Sequence, residues 1–318
     1  MSLRAYRRGA TVIVAFTFPG QGSQTVAGGT PWVGSPSWEV VGRASELSGV
    51  DVEHLLLKAD GEELRDTLNA QLSTFVLSLV MCDAVRRAGV EAEHYAGHSL
   101  GEYTALTAAG GLGFADGVCL VTVRGEAMRA ASAARAGVMV AVIGLDEEAI
   151  SDACAAAGTE VWVANDNAPG QIVIAGAAEA VADAAAAARE AGARKAMALP
   201  VAGAFHTPYM EPARPALESA LTVARFRDPT GAVWANVDAS PHARAGDWPA
   251  VLSAQLTAPV RWRETIENMA GQGVELLVEL GPGSVLTGLA KRTVAEAGRI
   301  SVGEPEDVPR LVELVAGA

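Results

Sequence analysis

The chain has 318 residues, half of them hydrophobic and 19% charged, which is enough to bury a large core in one main globular body with a modest insertion. Its formal net charge of −13 and pI near 4.9 exclude a protein whose main task is to hold nucleic acid, since that needs clustered Lys and Arg. Three widely spaced cysteines, Cys82, Cys119 and Cys154, with neither CxxC nor HExxH, suit buried thiols in a reducing compartment better than a disulfide framework or a metal site.

A basic flank at residues 4–8 followed by an apolar run at 11–18 has the outline of a signal peptide. The run is rich in β-branched and aromatic residues and stops at Pro19-Gly20, so it reads as a first buried strand. Residues 72–82, the longest other apolar stretch, are too few to span a bilayer, and a cytoplasmic protein with no membrane association is expected.

Apolar residues at helical spacing follow over 36–57 and 61–87, then a short strand near 93–96 and helices over 102–109 and 116–134. Residues 137–200 change character. Strands at 138–144, 161–164, 171–175 and 194–199, with helices at 147–157 and 178–191, give a βαββαβ, ferredoxin-like unit. The run Asn165-Asp166-Asn167-Ala168-Pro169-Gly170 is expected as the hairpin turn between its middle strands. Beyond it come a strand at 233–237, a helix at 248–256, a buried strand at 274–279 and a return to helix. The expectation is an α/β fold in which residues 1–131 and 203–318 make one layered domain and 132–202 an inserted subdomain.

Gly97-His98-Ser99-Leu100-Gly101 matches G-x-S-x-G, in which small flanking residues allow a sharp strand-to-helix turn that exposes the serine hydroxyl. Alone, this pattern also fits a glycine-rich loop with a solvated serine. A preceding strand and a following helix favour the nucleophile. A serine needs a base, and of the five histidines His206, in Gly203-Ala204-Phe205-His206-Thr207-Pro208, is the best placed. His54 and His242 lie in polar or surface contexts, His94 reads as structural and His98 as a support of the turn. Phe18-Pro19-Gly20-Gln21-Gly22-Ser23-Gln24 closes the first strand in a glycine-rich turn but lacks the lysine of a phosphate-binding loop.

Six segments in order, Pro19 to Gln24, Gly97 to Tyr103, Arg124 in Val123-Arg124-Gly125-Glu126, Asn165 to Gly176, Ala204-Phe205-His206-Thr207 and Gln255-Leu256-Thr257-Ala258-Pro259-Val260, together resemble the malonyl-CoA:acyl carrier protein transacylases and the polyketide synthase acyltransferases. The resemblance spans nearly the whole chain. It implies an α/β-hydrolase-like core with a ferredoxin-like insertion and a ping-pong malonyl transfer from coenzyme A to an acyl carrier protein, in fatty acid or polyketide synthesis, by a monomer without a bound cofactor or metal.

By the same resemblance Ser99 is the nucleophile, His206 its base, the N–H groups of Gln21 and Leu100 the oxyanion hole, and the backbone carbonyl of Gln255 the group that orients the imidazole. Asp116, Glu126 and Asp146 lie between Ser99 and His206, but none is in a loop that marks a triad acid. Arg124 would pair with the free malonyl carboxylate and Phe205 would exclude a bulky α-substituent. Gly203 and Ala204 depart from the usual histidine there and would leave some room. Gln71, Asn165 and Asn167 match polar positions near the family's site, with turn formation the stronger claim for the two asparagines. Arg194, Lys195, Lys291 and Arg292 are the candidates for a basic patch that docks an acidic carrier protein, a solvated face being the alternative reading. A thioesterase editing carrier proteins is the alternative; Arg124 argues against an editor of neutral acyl groups.

Overall fold

The computed structural model describes residues 12–201 and 203–317, so the basic flank at 4–8 and the start of the first apolar run lie outside the described residues. The chain opens on β1 (Val14–Phe18), then α1 (Glu39–Ser48), α2 (Val52–Leu57), α3 (Thr67–Arg87), β2 (His94–Gly97), α4 (Gly101–Ala108) and α5 (Phe114–Ala134). Next come β3 (Val138–Ile143), α6 (Glu147–Ala157), β4 (Val161–Ala168), β5 (Gln171–Gly176), α7 (Ala178–Glu190) and β6 (Lys195–Ala198). It continues through α8 (Arg214–Val223), β7 (Ala232–Trp234), β8 (Pro241–His242), α9 (Trp248–Gln255), β9 (Val260–Arg261) and α10 (Trp262–Gly271). The last elements are β10 (Leu276–Leu280), α11 (Val285–Thr293), β11 (Gly298–Val302) and α12 (Asp307–Ala316).

Two sheets organise these elements. The first runs β11-β10-β1-β2-β7-β8, parallel except for β8, and β1 at its centre is buried along all five residues because helices cover both faces. This is the α/β-hydrolase-like core. Four of its parallel strands release their chains at one edge: Pro19-Gly20-Gln21 after β1, the Ser99 turn after β2, Asn236 after β7 and Gly281-Pro282-Gly283 after β10. Crevices at the carboxyl ends of parallel strands are where such folds bind ligands.

The second sheet runs β6-β3-β5-β4-β9. Its first four strands are mutually antiparallel, and the connection β3-α6-β4-β5-α7-β6 gives the split βαβ order of a ferredoxin-like unit. The fifth strand, β9, comes from beyond residue 203 and pairs parallel to β4 at Asn165 and Asp166. Arg263 of α10 reinforces that seam, with Nε and Nη2 both 2.8 Å from Asp166 Oδ2.

Several expectations need correction. The hairpin turn is only Pro169-Gly170, because β4 runs on to Ala168 through two register shifts that keep Asn165 and Asn167 within the sheet. The helical stretch at 36–57 breaks at Gly49, whose φ of 70° ends α1, and α2 restarts on Asp51, which accepts from His54 N–H. The terminal segment holds β11 as well as helices. Residues 72–82 belong to a longer helix, α3, started by Asp66, which accepts from the N–H groups of Leu68 and Asn69. By length and composition α3 could cross a bilayer, yet 83% of its most apolar window is buried inside the protein, which makes it a core helix here.

Candidate active site

The glycines around Ser99 are required by sterics. A Cβ at Gly97 would lie 1.8 Å from the carbonyl carbon of Gly101, and one at Gly101 would lie 2.1 Å from the Phe18 oxygen, so β2 can turn into α4 only with bare backbone at both places. Ser99 takes a left-handed backbone, φ 53°, and His206 does the same at φ 61°. The loop after β1 packs on this turn, since a Cβ at Gly20 would fall 2.5 Å from the His98 oxygen. It is tied down by Gln24, whose Oε1 accepts from Gly22 N–H at 2.7 Å and whose Nε2 donates to the Leu64 carbonyl at 3.0 Å.

Ser99 Oγ and His206 Nε2 are 2.7 Å apart, and His206 Nδ1 is 3.0 Å from the Gln255 carbonyl. A carbonyl can only accept, so Nδ1 carries the proton and Nε2 is left to accept from the Ser99 hydroxyl. Burial, and then the positive charge of Arg124, press the His206 pKa down to about 3, which keeps the imidazole neutral, with the Nε2 lone pair free to accept, at ordinary pH. Among the described residues no carboxylate holds His206; Gln255 supplies the backbone acceptor. The remaining histidines are engaged otherwise: His94 accepts from Trp234 Nε1, His54 pairs with Glu63 and His242 with Asp238.

Arg124 is fully buried rather than on a helix surface. Nη1 donates to Gln71 Oε1 at 2.7 Å, while Nη2 donates to Gln255 Oε1 at 3.0 Å and to Ser99 Oγ at 3.1 Å. Nε is buried without a partner among the described residues, and the guanidinium stands 5.3 Å over the Tyr103 ring. All three of these hydrogen bonds end on neutral oxygens. A buried cation with neutral partners keeps a large uncompensated desolvation cost, which an incoming anion would offset.

A cavity of about 480 Å³ opens in front of Ser99, lined by Gln21, Met128, Asn165, Phe205 and His206 among others. His98 and Asn167 also line it and are joined, His98 Nε2 to Asn167 Oδ1 at 2.7 Å, with the edge of Trp262 against the His98 ring. Asn165 and Asn167 thus face the cavity from a bulged strand, so the turn role expected for them gives way to a lining role. Leu100 caps α4 with its side chain in the core; neither its N–H nor that of Gln21 donates to another described backbone group. Gln71, Arg124 and Gln255 stand behind the cavity wall, Gln71 also placing Nε2 3.5 Å from Met128 Sδ. The extra room expected beside Gly203 and Ala204 is filled: a Cβ at 203 would lie 2.2 Å from Ser132 Oγ and 3.1 Å from the Phe205 ring, and Ala204 packs on Gly137.

Two site residues were not singled out from sequence. Asn236 holds the turn through its side chain and Glu102 holds Asn236. Glu102 is fully buried, and burial pushes its pKa up to about 8, so it is a neutral acid below that pH. A lone carboxylate in the apolar helix after the turn, and an asparagine at the end of a buried strand, were the available signals. Among the described residues no group of three or more metal-ligating side chains forms.

The model of the acyl transferase domain family matches residues 15–311. The malonyl CoA-acyl carrier protein transacylase of Escherichia coli K12 is 42% identical over 309 residues, covering 94% of this chain and 99% of that protein. The crystal structure of an acyl carrier protein S-malonyltransferase from Vibrio cholerae superposes with a TM-score of 0.90 at 39% identity, covering 94% and 99% of the two chains. A malonyl-transacylase solved in complex with its type II polyketide acyl-carrier protein gives 0.91 at 36% identity, with coverage of 95% and 99%. The chain therefore belongs to the acyl transferase family of the malonyl-CoA:acyl carrier protein transacylases and polyketide synthase acyltransferases.

Proposed function

We propose that this protein moves a malonyl group from coenzyme A to the phosphopantetheine thiol of an acyl carrier protein through an ester on Ser99. The observation that carries the reading is Arg124: a buried guanidinium with only neutral partners, ending 3.1 Å from Ser99 Oγ. In the first half-reaction Ser99 Oγ passes its proton to His206 Nε2 and bonds to the thioester carbonyl carbon. The N–H groups of Gln21 and Leu100 hold the resulting oxyanion, a type of contact whose loss costs roughly 3 kcal/mol. Collapse breaks the C–S bond, and the imidazolium returns its proton to the departing coenzyme A sulfur. In the second half the carrier thiol gives its proton to His206, attacks the ester, and Ser99 leaves with that proton restored.

The fork of Arg124 suits a bidentate contact with the malonyl carboxylate, worth about 1.5–3 kcal/mol or roughly ten- to a hundredfold over an acetyl group. Phe205, 6% exposed and closed in by Gly203 and Ser132, bounds the space beside the α-carbon. Residues 1–131 with 203–318 form the catalytic body in this reading, and 132–202 the insertion whose Asn165 and Asn167 cover the cavity. The carrier protein approaches the mouth, where Arg292 donates to Gln171 of the cavity lining; Lys291 beside it in sequence is exposed, as are Arg194 and Lys195. A monomer in the cytoplasm, serving fatty acid or polyketide synthesis without a bound cofactor, completes the reading.

Initial rates with malonyl-CoA, acetyl-CoA and carrier protein test it. Parallel double-reciprocal lines and at least tenfold preference for malonyl are expected. Release of the acyl group to water at the same rate without carrier protein would replace the transferase with the editing hydrolase.

A further inference from the structure

Ser99 holds its left-handed backbone only while its surroundings impose it. Two side chains from the later part of the chain do so. Asn236, fully buried, accepts from Ser99 N–H at 2.7 Å through Oδ1 and donates from Nδ2 to the Gly97 carbonyl at 2.8 Å. Gln255 Nε2 donates to the Ser99 carbonyl at 2.9 Å. Asn236 is held in turn: its own N–H donates at 2.7 Å to Oε2 of Glu102, in the first turn of the helix that Ser99 leads into. The bonds close a ring through Gly97, Ser99, Glu102 and Asn236. An amide meets both demands at 236 at any pH, since one atom accepts an N–H while the other donates to a carbonyl; a carboxyl group does so only when protonated. The Ser99 N–H is consumed by this ring, while the next N–H, that of Leu100, donates to no other described backbone group.

We propose that Asn236 is a positioning residue for the acyl transfer, fixing the Ser99 hydroxyl against His206 and aiming the Leu100 N–H at the developing oxyanion. This rests on Ser99 being the nucleophile. A misplacement of the reacting group by about an ångström costs on the order of a hundredfold, so Asn236→Ala should lower kcat by about that factor. KM for malonyl-CoA should move by less than about threefold, because Arg124 and the cavity are untouched.

Asn236→Asp supplies a readout that a merely structural role would not move. Protonated, the introduced carboxyl accepts from Ser99 N–H and donates to Gly97; ionised, it sets a charge against the Gly97 carbonyl oxygen. Glu102, which accepts from the N–H of 236, is the ionisable group in contact with it, and Arg124 and Asp238 act on Glu102 in turn. Between about pH 5.5 and about pH 7.5 Glu102 stays protonated and His206 neutral, so the wild type should be flat while kcat of the variant rises at least about tenfold towards the acid end. Melting temperature is recorded at each pH. An Asn236→Ala enzyme with wild-type kcat overturns the proposal, and so does an Asn236→Asp enzyme whose kcat ignores pH or merely follows its melting temperature. If Asn236→Ala does not fold, the Asn236→Asp profile decides. Absence of any acyl group on wild-type Ser99 would instead sink the underlying reading.

Discussion

Arg124 Nη2 stands 3.1 Å from Ser99 Oγ, and the same oxygen meets His206 Nε2 at 2.7 Å. One hydroxyl therefore lies between a neutral base and a permanent cation. The charge at position 124 reaches both the proton transfer and any substrate carboxylate.

Removing that charge should act unequally on two classes of substrate. Arg124→Ala is expected to lower kcat/KM for malonyl-CoA by roughly ten- to a hundredfold or more, and for acetyl-CoA by much less. Arg124→Lys keeps the charge but loses the fork that reaches Gln71, Gln255 and Ser99 together, so it should not restore the wild-type ratio. Parallel kinetics with both thioesters check this; equal losses on the two would contradict it.

The base predicts an acid limit. His206 titrates at about 3 in the native protein against 6.5 when free, so kcat/KM should hold down to strongly acid pH for as long as the fold survives. Between those values the unfolded chain binds the extra proton. The stability tied to neutral His206 is thus complete above about 6.5 and lost as the pH falls towards 3. Arg124→Gln removes the like charge and should raise the pH at which activity begins to fall. An acid limb that does not move would mean that Arg124 is electrically remote from His206.

Glu102 has the opposite sign. Its native pKa, about 8, lies above the ordinary 4.5, so the native state binds the extra proton between them. The stability it contributes is present below 4.5 and lost as the pH rises through about 8. Glu102→Gln keeps an oxygen to accept from Asn236 N–H and has no proton to lose, so its melting temperature should fall less steeply than that of the wild type from about pH 5 to about pH 8.5. Identical slopes would show that Glu102 is ionised in the native protein.

Gly203 and Ser132 should be coupled. A Cβ at 203 would lie 2.2 Å from Ser132 Oγ, so Gly203→Ala is expected to destabilise by about 1–3 kcal/mol. Ser132→Ala, which removes that oxygen, should recover part of the loss in the double variant. Denaturant unfolding of the four proteins measures the coupling; strict additivity would contradict the contact.

The order of strands and helices, and the βαββαβ unit, were legible because hydrophobic period and glycine or proline punctuation are local signals. The place of β9 was not, since two residues in a loop carry no pattern that says they will extend a distant sheet. Asn165, Asp166 and Asn167 misread as a turn for a related reason: their polarity is that of a loop, and only the bulges of β4 and the cover given by Arg263 and His98 make polar residues tolerable in a buried strand. Ser99, His206 and Arg124 were found through motifs, whereas Asn236 and Glu102 act only through contacts made after folding, 134 positions apart in the chain.

The most direct measurement is the intact mass of the wild type and of Ser99→Ala after brief exposure to malonyl-CoA, followed by addition of carrier protein. A malonyl adduct on the wild type alone, discharged onto the carrier protein, is the predicted result. An adduct that persists on Ser99→Ala, or one that only water removes, would contradict the account.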